Sequence, residues 1–170
     1  LPDPPVRAMF TPPPSSAVAV AASTIGRLAK LPNVGIVKDA TADLAKAAEV
    51  RRLAPESVAL LSGDDFTFLA HLAVGGNGCV SVASNLIPER MVGLYDAWQR
   101  GDIARAAAEN AALQPFYRAL FTQTNPLPVK TAMAILGHCE EVFRLPLCRM
   151  DPGPREVLTG AMNDLGLLPG

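Results

Sequence analysis

Short apolar runs at residues 34–37, 58–61 and 79–82, with helical spacing between them, limit the fold of this chain more than any other feature. Behind the first run, Leu44, Ala47, Ala48 and Leu53 recur at helical intervals. Behind the second, Phe66, Leu69, Ala70 and Ala73 do the same. Strands that alternate with helices return through crossovers, which makes their sheet parallel. The punctuation agrees. Thr41 stands where it can cap one helix, and Asp64 or Asp65 where it can cap the next. A helix ends over 24–30, with Ile25 and Leu28 as its apolar face. Pro88 opens a helix that reaches about residue 100. Gly101-Asp102 ends that helix and caps another over 103–121. Residues 125–128 read as a loop, and 129–136 as a helix stopped at Gly137. Residues 155–165 form the last helix, stopped at Gly166. Asn85 is predicted to act as a helix cap.

One residue in this pattern carries chemistry. In Val34-Gly35-Ile36-Val37-Lys38-Asp39, strand alternation sends Val34, Ile36 and Lys38 to one face. A cation thus sits on an apolar face at a strand's C-terminal end, where parallel α/β barrels do their chemistry. Desolvation there disfavours an ammonium ion, and a neutral amine attacks a ketone to form a Schiff base. Alone, the pattern also suits a lysine snorkelling out of a strand end. Asp39 is expected on the opposite face.

Four motifs fall in order along the chain: Gly35-Ile36-Val37-Lys38-Asp39-Ala40-Thr41, Leu60-Leu61-Ser62-Gly63-Asp64-Asp65, Gly75-Gly76-Asn77-Gly78-Cys79-Val80-Ser81-Val82-Ala83-Ser84-Asn85, and Asn125-Pro126-Leu127-Pro128-Val129-Lys130. In that order and spacing they resemble the dihydrodipicolinate synthase and N-acetylneuraminate lyase family, from about Thr24 to Leu168. The resemblance implies an α/β fold, the C-terminal half of a TIM (β/α)8 barrel with a C-terminal helical extension. It implies a class I aldolase in which Lys38 is the nucleophile and pyruvate the first substrate, with an aldehyde as the second. Gly63, Asp64 and Val80 would line the pocket, Val80 through its backbone carbonyl. No metal or organic cofactor is implied, because the protonated imine is itself the electron sink. The lysine-pathway synthase is the nearest likeness. A sugar-acid aldolase for N-acetylneuraminate or 2-keto-3-deoxy acids is a second reading, and an inactive barrel remnant that binds or assembles with a partner is a third.

Length bears on that choice. A whole barrel takes about 250 residues, and this chain has 170 and begins with Leu1. It is therefore expected to hold the last four βα units, which leaves open sheet edges that pair with other chains. A homo-oligomer or a complementary half barrel is the expected partner. The regions are expected to be 1–22, a Pro/Ala-rich degenerate start with a possible fifth barrel strand at 6–10; 23–100, the βα units; and 101–170, the helical region. By counting back from Thr24, the family's proton-relaying tyrosine corresponds to Phe10, which has no hydroxyl. The synthases' carboxylate-binding arginine corresponds to Ser15, which cannot form a bidentate clamp. The family's glycine two residues before the lysine corresponds to Ile36, a bulky side chain beside the amine.

Other classes are excluded on composition. Net charge is −1, with 15 basic and 16 acidic residues and no basic run, so nucleic acid is not an expected partner. Apolar content of 49% supports a globular core without a run long enough for a membrane. Cys79, Cys139 and Cys148 form no CxxC pair, and an odd count suits a reducing cytoplasm. His71 and His138 lack metal-ligand spacing. Tyr95, Trp98, Phe116 and Tyr117 read as helix-packing residues.

Overall fold

The computed structural model describes residues 7–11 and 20–168. They divide into two compact units, one running to Ser81 and the other starting at Val82.

The first unit is built from strand–helix alternation. Its elements are β1 (Arg7–Thr11), α1 (Ala22–Leu28), β2 (Val34–Asp39), α2 (Leu44–Leu53), β3 (Ala59–Ser62), α3 (Phe68–Ala73) and β4 (Gly78–Cys79). The four strands form one parallel sheet in the order β1-β2-β3-β4, as the alternation requires. Ile25, Ala29, Val37, Val50, Val58 and Leu60 make its buried core, flanked by Met9, Val20, Ala22 and Ala54. Val37 and Leu60 therefore face the helices, and the intervening strand residues Ile36, Lys38 and Leu61 face the other way. β2 runs two residues past the expected end, because Lys38 and Asp39 still find ladder partners in Phe10 and Thr11 and in Leu61 and Ser62. β4 is shorter than the expected 79–82. It is an edge among the described residues, so only β3 holds it.

Two caps of this unit differ from expectation. Asp43, not Thr41, caps α2 by accepting the Lys46 N–H at 2.9 Å. Thr41 is already taken: its N–H and Oγ1 both donate to Asp39 Oδ1, at 3.0 and 2.8 Å. Neither Asp64 nor Asp65 caps α3, whose cap position is held by Thr67; Asp64 instead accepts from Thr67 N–H and Oγ1 at 3.0 and 2.8 Å in the turn before it. Between Thr41 and Asp43, Ala42 adopts φ +57. The left-handed region costs a residue with a Cβ roughly 1–2 kcal/mol, and glycine returns part of this as unfolded-state entropy. Ala42→Gly is expected to stabilise the chain by about 0.5–1 kcal/mol, read as a higher urea midpoint at unchanged slope.

The second unit is helical. A 3₁₀ turn (Ala83–Asn85) leads to α4 (Pro88–Gln99), α5 (Ile103–Ala119), α6 (Leu127–Ile135) and α7 (Pro152–Asp164). Asn85 does not cap α4. Its Nδ2 donates to the Val82 carbonyl inside its own turn, and Ile87 holds the cap position. Asp102 caps α5 through the Arg105 N–H, as its sequence setting predicts. α6 starts two residues earlier than expected, since Pro128 is compatible with a first turn. Leu94, Ala97, Ala106, Leu113, Phe116, Tyr117, Leu158 and Met162 are buried here. Tyr117 is 0% exposed and donates its hydroxyl to Met91 Sδ at 3.2 Å. α4 packs on α5. Between α6 and α7, the non-helical segment is held by Glu141, which accepts from Thr131 Oγ1 and pairs with Arg155.

Candidate active site

Lys38 is the penultimate residue of β2, half-buried, on the face turned away from the helices. Phe10 of β1 and Leu61 of β3 stand beside it in register. Ile36 lies two residues earlier on the same strand face. Gly63 follows β3 directly. A Cβ built there would lie 2.7 Å from Lys38 Cε, 2.7 Å from Ala40 Cβ and 3.0 Å from Ala40 Cα. The lysine stem therefore runs over a surface that only hydrogen can occupy. The Gly63 N–H donates to the Asp39 carbonyl at 2.7 Å, and the Val80 N–H donates to the Ser62 carbonyl at 2.7 Å. These two bonds continue the ladder into the loops.

The C-terminal end of the sheet thus gathers the backbone positions of Phe10, Lys38, Gly63 and Val80, with Ile36 two residues earlier on β2. Val80 lies one residue beyond β4 and is 44% exposed. Asp64 is close in sequence to Gly63, but its carboxylate bonds Thr67, and its carbonyl accepts from Ser62 Oγ at 2.9 Å. For Phe10 only the backbone position is described, and Ser15 lies outside the described residues.

Charge around the sheet end is uneven. Burial pushes the Cys79 thiol far up, and the carboxylates of Asp65 and Asp64 push it further; the Lys38 ammonium acts weakly the other way. Cys79 is therefore a neutral thiol and no competing nucleophile. His71, buried on α3, has its pKa lowered by desolvation, offset in part by the Leu60 carbonyl and by Asp39. A folded-state value below the unfolded one means the unfolded chain takes the proton first as pH falls. Stability present above about pH 6.5 is then lost on acidification. The urea midpoint is expected to fall between pH 7.5 and 5.5, and the fall to shrink in His71→Gln.

Sequence reasoning missed Asp39. It placed the side chain on the opposite face correctly, but not its burial, at 4% exposure, nor its two bonds to Thr41. An Asp followed two residues later by Thr is a signal for such a turn.

The model of the dihydrodipicolinate synthetase family matches residues 8–163. The chain belongs to that family. Among curated relatives, the 4-hydroxy-tetrahydrodipicolinate synthase of Thermodesulfovibrio yellowstonii is 41% identical over 160 residues, which are 94% of this chain and 55% of the relative. That of Rhodospirillum centenum is 43% identical over 156 residues, 92% and 54%. The dihydrodipicolinate synthase structure from Aquifex aeolicus superimposes with a TM-score of 0.91 at 35% identity, covering 97% of this chain and 56% of that one. The lysine-bound enzyme from Cyanidioschyzon merolae gives 0.93 at 32%, covering 96% and 55%. The chain spans about half the length of these relatives. Its fold is the C-terminal part of the dihydrodipicolinate synthase (β/α)8 barrel with the helices that follow. No helix among the described residues is long and apolar enough to cross a membrane.

Proposed function

We propose that the chain supplies the imine-forming part of a pyruvate-dependent lyase, a 4-hydroxy-tetrahydrodipicolinate synthase in type, with Lys38 as nucleophile. One observation carries this reading: Lys38 ends β2 on the face away from the helices, with its stem laid on Gly63. The Nζ lone pair adds to the C2 carbonyl of pyruvate, and loss of water leaves the imine. Protonated, the imine accepts the electron pair released when a C3 proton departs. The resulting enamine carbon adds to the aldehyde carbonyl, forming the new C–C bond. Water then cleaves the imine and restores the amine. The step from ketone to enamine uses no metal or organic cofactor. Gly63 and Val80 form the walls beside the amine, and the Asp64 backbone continues them.

Four parallel strands leave β1 and β4 with unpaired outer edges among the described residues. Complementary strands, from a second copy or from a first-half barrel polypeptide, are the partner such edges fit. We place this chemistry in the cytoplasm, in keeping with the free thiols of Cys79, Cys139 and Cys148. Phe10 and Ser15 favour a second reading, an inactive barrel part that serves assembly. Pyruvate with borohydride separates the two. The expected result is one pyruvate-derived adduct, mapped by peptide mass to Lys38 and increased by adding a relative's first-half barrel. Labelling that persists in Lys38→Ala sinks the assignment.

A further inference from the structure

Asp39 buries its carboxylate beside the lysine's strand position, on the opposite face. A buried carboxylate is costly unless its oxygens are hydrogen-bonded, so its partners indicate what it does. Oδ1 accepts from both the N–H and the Oγ1 of Thr41. The Asp39 main-chain carbonyl accepts from the Gly63 N–H. Thr41 Oγ1 in turn accepts from the Asp43 N–H at 3.4 Å, and Asp43 caps α2. One residue thus ties the end of β2 both to the following turn and to the end of β3.

The turn matters because of Ala40. Its Cβ and Cα border the same surface of Gly63 on which Lys38 Cε rests. If residues 39–43 loosen, Ala40 moves, and the bed of the lysine stem changes shape. We propose that Asp39 is a positioning residue for Lys38: through its bonds to Thr41 it fixes the turn, and through Ala40 and Gly63 the place of the amine. The proposal rests on Lys38 being the imine-forming residue. It turns on the acceptor oxygen that Thr41 meets, which asparagine at this position also offers.

The test compares the full chain with Asp39→Ala, Asp39→Asn and Thr41→Val, by two readouts. The first needs no pyruvate. Reductive methylation with formaldehyde and borohydride is followed by peptide mass, and the rate at Lys38 is divided by those at Lys30 and Lys130. The second is the rate of pyruvate trapping at saturation, set against the half-saturating pyruvate concentration. In Asp39→Ala the relative Lys38 methylation rate is expected to change at least about threefold. Saturated trapping should fall about tenfold or more, since small misplacements of a reacting group are costly, with half-saturation shifting far less. Asp39→Asn should stay within about twofold on both readouts. Unchanged Lys38 rates in a folded Asp39→Ala overturn the proposal, and so does a loss in Asp39→Asn as deep as in Asp39→Ala. If Asp39→Ala fails to fold, Thr41→Val, which keeps the Thr41 N–H bond to Asp39 and removes the two bonds of the hydroxyl, to Asp39 and from Asp43, carries the comparison with a smaller effect. No trapping by the unaltered chain refutes the imine reading alone, and the methylation rates then decide the role of Asp39.

Discussion

Combined with the first half of a relative's barrel, the chain carrying both Phe10→Tyr and Ser15→Arg is expected to turn over at least tenfold faster than the unaltered chain. Proton transfer by a positioned side chain is typically worth 10²–10⁴-fold. At the position that likeness to the family assigns to the proton relay, a phenyl ring has no hydroxyl to contribute. The register pairs the backbone of residue 10 with that of Lys38, the proposed nucleophile. An arginine at 15 would add a two-pronged grip on a substrate carboxylate that serine cannot make. A tenfold gain corresponds to about 1.4 kcal/mol of barrier. The measurement is steady-state turnover of the four combinations, with each substitution alone and both together. If the unaltered chain already matches a whole relative, the correspondence at residues 10 and 15 is wrong. Tyr117 could not then be the substitute, since it is enclosed in the helical core and bonded to Met91. The complementary strands would have to supply the proton.

Gly63→Val should be nearly as damaging, for a steric reason. Its Cβ meets two things at 2.7 Å: the far end of the Lys38 stem, which can swing aside, and Ala40, whose Cα at 3.0 Å belongs to the backbone and cannot. The lysine is displaced and the turn is strained together. Overpacking of this kind costs about 1–3 kcal/mol, and a displacement near 1 Å slows a reaction about 100-fold. Trapping of pyruvate is expected to slow by that factor, with a lower urea midpoint. A Gly63→Val chain that traps at the original rate would show that the stem does not need this surface.

The strand–helix order was legible because each βα unit announces itself locally, through an apolar run and a helical period. The face of Lys38 followed from alternation, since period 2 leaves no freedom once the strand is placed. The caps were less legible. Thr41 and Asp43 are both good cap residues two positions apart, and the choice between them is made by Asp39, which engages Thr41 first. β4 was overextended because a run of apolar residues does not say how many neighbours a strand has. Gly63 was readable as a turn glycine, but its contact with the lysine stem arises from the register of β2 against β3, a relation between residues 25 apart that no local pattern encodes. The Phe10 and Ser15 positions came only from likeness to relatives.

The two bonds that continue the ladder past the strand ends, Gly63 N–H to the Asp39 carbonyl and Val80 N–H to the Ser62 carbonyl, have a consequence for how such a protein can change over time. Each pins the first loop residue after one strand to the last residue of the strand before it. The mouth of the sheet is thereby inherited from the backbone and not from loop side chains. Loop sequences beyond these pins can drift, lengthen or be exchanged, while the end of the sheet that carries Lys38 and Gly63 stays where the ladder puts it.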